Sequence, residues 1–110
     1  MNHVLNINHT ILNQFELILE VDSSFILENV TASGQMLVDS SGLSFVYLLE
    51  NNETYTYLKI PEIFWNDLKK VMTREMAVSV TNGQVKINLV HFLEELTYLI
   101  DLFENAQEIG

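Results

Sequence analysis

Apolar residues alternate with polar ones through much of the first half of the chain and recur at helical spacing in two later stretches. That change of period predicts strands, a helix, two more strands and a second helix. Residues 1–8 and 13–21 alternate in part, through Val4, Leu5 and Ile7 and then Phe15, Leu17, Leu19 and Val21, as a pair of half-buried strands would. Asp22, Ser23 and Ser24 supply turn chemistry. Ser33-Gly34 and Ser40-Ser41-Gly42 bracket another short strand over 35–39.

The clearest hairpin runs from Leu43 to Glu50 and from Thr54 to Ile60. Asn51-Asn52 is its expected loop, because asparagine tolerates the positive φ that a two-residue type I′ turn requires. In that register Leu48 faces Tyr55, Val46 faces Tyr57, and Glu50 faces Glu53, a like-charge pair costing roughly a few tenths of a kcal/mol. One face then presents Val46, Leu48, Tyr55 and Tyr57, and the other Phe45, Tyr47, Leu49 and Leu58. Both faces are apolar, so the hairpin is expected either to lie centrally in a sheet covered on both sides or to be buried in part by another chain.

Pro61 ends this strand and suits the first turn of a helix, where its missing N–H is not needed. Phe64, Leu68, Val71 and Met72 give that helix, residues 61–72, an apolar stripe, while Glu62 near its start and Lys69, Lys70 and Arg74 near its end match the helix dipole. Short strands follow over 76–80 and 85–88, joined at Asn82-Gly83. The last helix is expected over 89–104, where Leu89, Phe92, Leu93, Leu96, Leu99, Ile100 and Phe103 share one side and Asn88 is the candidate N-cap. The whole predicts one α+β domain over residues 1–110: a mainly antiparallel sheet of about six or seven strands with two helices on one face, in the order strands, helix, two strands, helix.

Composition narrows the function classes. With 48% apolar residues the chain can bury a core, despite a formal net charge of −10. The absence of cysteine removes disulfides, thiolate metal sites and cysteine nucleophiles, and fits a reducing, cytoplasmic location. No apolar run approaches the roughly 20 residues that cross a bilayer, so neither an anchor nor a signal peptide is expected. All five cations, Lys59, Lys69, Lys70, Arg74 and Lys86, fall between residues 59 and 86, leaving both flanking segments acidic. Phosphates should be repelled over most of such a surface, which disfavours direct nucleic-acid binding.

Several segments resemble one family. Gly34-Gln35-Met36-Leu37-Val38-Asp39-Ser40, Leu43-Ser44-Phe45, Tyr55-Thr56-Tyr57-Leu58, Trp65, and 94–101 (Glu-Glu-Leu-Thr-Tyr-Leu-Ile-Asp) are similar to the YjbL-like proteins, short acidic proteins of Bacillus- and Staphylococcus-type bacteria. The resemblance covers about residues 34–101 and leaves 1–33 poorly matched. It implies a cytoplasmic bacterial protein and transfers no active site, because the family is uncharacterised.

Candidate chemistry is sparse. Of His3, His9 and His91, only His91 has carboxylates at helical spacing, Glu94 and Glu95, a set that could act as a general base or hold a metal or small ligand. In Asp39-Ser40-Ser41-Gly42 a serine stands beside an acid without a base or an oxyanion site, which reads as a turn. No glycine-rich phosphate cradle and no calcium loop is present, and no cofactor is expected. Two surface features remain: the cationic group Lys69, Lys70 and Arg74, with Lys59 a candidate member, and the aromatic set Tyr47, Tyr55, Tyr57, Phe64 and Trp65. These residues point to a non-catalytic protein-interaction or regulatory module with an unidentified protein partner or a second copy of itself. Two alternatives are an acidic DNA mimic that blocks a basic nucleic-acid-binding protein, and a ligand or metal binder built on His91, Glu94 and Glu95.

Overall fold

Alternation becomes buried and exposed faces of one curved sheet. The computed structural model describes residues 3–39, 41, 43–52 and 54–109, with 103–109 traced through their backbone. Strands β1 (His3–Leu12) and β2 (Glu16–Val21) form the first pair, and β3 (Thr31–Asp39), β4 (Ser44–Asn51) and β5 (Thr54–Pro61) follow. A single 3-10 turn over Glu62–Phe64 leads into α1 (Trp65–Arg74); β6 (Ala77–Thr81), β7 (Lys86–Asn88) and α2 (Phe92–Ile109) complete the order. The fold is α+β, as the sequence predicts.

The strands stand in the order β3-β4-β5-β1-β2-β6-β7. Most neighbours are antiparallel, but β1 runs parallel to β5, and β2 runs parallel to β6. β1 divides its length between two partners: His3–Asn6 pair with β5, and Ile7–Leu12 with β2. An irregularity between Ile7 and His9 marks the handover. The extra residue there reverses the alternation, so that Leu5 and Ile7 are followed inward by Thr10 and Leu12. The sheet bends enough to bring its two edge strands, β3 and β7, near each other.

Both helices lie on the face carrying Leu17, Leu19, Tyr47, Leu49, Leu58 and Ile60, all fully buried. α2 packs on β3 and β6, and α1 on β2 and α2, adding Leu68, Val71, Phe92 and Leu96 to the core. Each such side chain contributes roughly 1.5–3 kcal/mol of hydrophobic stabilisation. Turns are fixed by polar side chains. Asn13 Oδ1 accepts the Phe15 and Glu16 amides, both at 2.8 Å. The buried Asn82 accepts the amides of Gln84 and Val85 and donates to Phe25 O at 2.8 Å, tying the β6–β7 turn to the loop after β2.

The observed β4–β5 register differs from the predicted one. Asn51 pairs with Thr54, Leu48 with Tyr57, Tyr47 with Leu58 and Val46 with Lys59, so the loop is 52–53. Glu50 meets Tyr55, and the predicted like-charge contact does not form; Glu53 itself lies outside the described residues, as do Met1, Asn2, Ser40, Gly42 and Gly110. Asn52, with φ of 54°, occupies the left-handed position. Moving the loop by one residue changes the register by two, so both faces keep their predicted members.

Both helices also start later than predicted. Pro61 closes β5 and the α-helix begins at Trp65; Leu89 still bonds as strand, its amide donating to Val78 O at 2.9 Å. Asn88 therefore ends β7 and is no N-cap, and α2 begins at Phe92.

Candidate functional site

His91 stands immediately before α2 with φ of 61°, outside the helix rather than in its first turn. Its Nδ1 lies 3.3 Å from Glu94 Oε2, and both side chains are well exposed. Glu95 meets it only through the backbone, donating its amide to His91 O at 2.9 Å. The predicted trio is thus a solvated pair, and among the described residues no three His, Asp or Glu side chains gather as a metal site. His9 pairs across the strands with Glu20. Ser41 donates to Asp39 Oδ1 at 2.8 Å, a contact within the turn.

Lys69, Lys70 and Arg74 are exposed on α1, and Arg74 occupies its last turn. Lys59 does not join them. It projects from β5 on the sheet face away from the helices, opposite Val46, with its Nζ 3.4 Å from Asp39 Oδ2. Trp65 opens α1 and is half-buried; its indole N–H donates to Ile60 O at 3.3 Å and its ring centroid lies 5.3 Å from that of Phe45.

Of the five aromatics singled out from the sequence, Phe64 packs half-buried against the core and Tyr47 belongs to it. Its ring stacks on Phe92 with centroids 5.9 Å apart, and its hydroxyl donates to Val90 O at 2.7 Å while accepting the Gly34 amide at 3.0 Å. Burial, reinforced by the Glu95 carboxylate and opposed by the Gly34 hydrogen bond, raises its pKa. Tyr47 therefore clasps the β3 edge to the segment after β7 and offers no surface to a partner.

Tyr55 and Tyr57 lie on the other face. There Val46 and Leu48 are buried although no helix among the described residues covers them, with Lys59 and Tyr57 opposite them on β5. Around them Val4, Leu37 and Tyr55 are 56%, 52% and 41% exposed. Val4, Leu37, Val46 and Tyr57 line a depression of about 360 Å³ whose walls include the Asp39–Lys59 pair. The sequence carries a signal for Val4 and Leu37, since each alternates with an inward neighbour, Leu5 or Met36. It does not show that β1 lies beside β5 and so completes the patch.

Farther along the same face the surface becomes polar. Glu16 accepts from Ser79 Oγ at 3.0 Å and from Lys86 Nζ at 2.5 Å. The Lys86 hydrogen bond, against opposition from burial and with help from Ser79, lowers the Glu16 pKa below its ordinary value. No helix among the described residues is long and apolar enough to cross a membrane.

A family model described as a family of unknown function, UPF0738, matches residues 5–110. A UPF0738 protein of Geobacillus sp. (strain WCH70) is 40% identical over 86 residues, covering 78% of this chain and 69% of its own. One from Bacillus pumilus (strain SAFR-032) is 36% identical over all 110 residues, 91% of its length. One from Bacillus mycoides (strain KBAB4) is 32% identical over 84 residues, 76% of this chain and 68% of its own. Similarity thus reaches well into the segment before residue 34 that the sequence motifs leave unmatched. No solved structure matches the chain.

Proposed function

The chain belongs to the UPF0738 family, whose function is unknown, and from that premise we propose that it is a non-catalytic protein-interaction module of the bacterial cytoplasm. Its contact surface is the helix-free face of β3, β4, β5 and the start of β1. One observation carries this reading: Val4, Leu37 and Tyr55 stand exposed around Val46 and Tyr57 on a face that no helix among the described residues covers. Monomers seldom leave contiguous apolar patches open to water, and tyrosines on such a patch are favoured anchors because they bury a large rigid ring with a polar tip. Trp65 is assigned a packing role instead, supported by its contacts with Ile60 and Phe45.

A photo-reactive amino acid placed at Leu37, compared with one at Ile63 before α1, an apolar position that is still more exposed, tests the assignment in cells. Leu37 should give a discrete cross-linked species and Ile63 should not. Equal yields at the two positions, or none at Leu37, would overturn it.

A further inference from the structure

We propose, resting on the reading of this face as a docking surface, that its occupant is a second copy of this chain, bound face to face about a two-fold axis. Charge selects that occupant. The chain carries a formal charge of −10, so two copies repel one another across most orientations. The depression is an exception: Val4, Leu37, Val38, Val46 and Tyr57 are uncharged, and Asp39 and Lys59 cancel. Glu50, at the hairpin end of the same face, is the nearest further charge along β4. A strongly basic partner gains nothing from a neutral surface and would be drawn to the acidic remainder of the molecule. An equally apolar, equally neutral surface fits it, and this chain presents one.

The two residual charges also suit self-association. In a two-fold interface every contact occurs twice with its members exchanged. A depression lined by one acid and one base can therefore place Lys59 of each copy against Asp39 of the other, keeping both charges compensated while the apolar floor leaves water. Like-signed charges on the patch would have opposed that arrangement.

Light scattering on the full chain tests the proposal, alongside the Leu37 cross-link. The expected mass at high concentration is twice 12.7 kDa. Leu37→Asp should return it to that of one chain with unchanged far-ultraviolet circular dichroism. Asp39→Lys and Lys59→Asp should each weaken the dimer roughly tenfold or more, and an equimolar mixture of the two variants should recover it, which misfolding would not produce. Added salt should tighten the wild-type dimer by screening the repulsion between acidic copies. A monomer whose Leu37 probe captures a different protein would overturn the second copy and leave the docking face standing. A dimer unaffected by Leu37→Asp and by both charge reversals would place the interface elsewhere. Absence of any Leu37 adduct would remove both readings.

Discussion

Tyr47 is a buried phenol whose hydroxyl serves two backbone groups at once. Removing that oxygen leaves the Gly34 amide and the Val90 carbonyl without their partner, so Tyr47→Phe should destabilise the fold by about 1–3 kcal/mol, measured by chemical denaturation. Glu16 gives a residue-level prediction in pH. Its folded pKa lies below the ordinary 4.5, chiefly through the Lys86 hydrogen bond, so the unfolded chain binds its proton first on acidification. Its stabilising contribution is present above about pH 4.5 and is lost as pH falls through the lower folded value. Denaturation midpoints of wild type should therefore fall more steeply below pH 4.5 than those of Glu16→Gln; parallel curves would contradict the assignment. Neither contact was legible in the sequence. Tyr47 lies 13 residues from Gly34 and 43 from Val90, and Glu16 lies 63 from Ser79, and no local pattern specifies such distances.

At the scale of elements, faces were legible and boundaries were not. Strict alternation assigned the two sides of β4 and β5 correctly, whereas two consecutive asparagines could equally supply the left-handed turn residue, and the register followed the second. Leu89 and Phe92 share helical spacing, which extended the predicted α2 backwards into a segment held as strand by Val78. The end of α1 offers a test of local backbone energetics. Glu75 caps the helix at φ 52°, ψ 53°, a left-handed conformation that costs a residue with a Cβ roughly 1–2 kcal/mol. Glycine avoids that cost but loses more entropy on folding, so Glu75→Gly should be stabilising by about 0.5–1 kcal/mol net, read from the thermal midpoint.

For the whole molecule, the fold class was legible because period and turn residues agree along the chain. The strand order was not, because the parallel pairings of β1 with β5 and β2 with β6 join segments far apart in sequence. That order decides the candidate site: it sets Val4 beside Tyr57 and gathers an apolar patch from four strands. The candidate chemistry at His91 depended instead on helical spacing that begins one residue too late to include it. The molecule that results is acidic over most of its length and charge-balanced in one apolar depression of its open sheet face. Tyrosine-directed oxidative footprinting tests this picture most directly, with Tyr55 on that face and Tyr98, 60% exposed on α2, as its control. The account predicts that Tyr55 is modified in the dilute purified chain but protected in the cell, while Tyr98 reacts alike in both. Equal modification of Tyr55 in the two settings would contradict it.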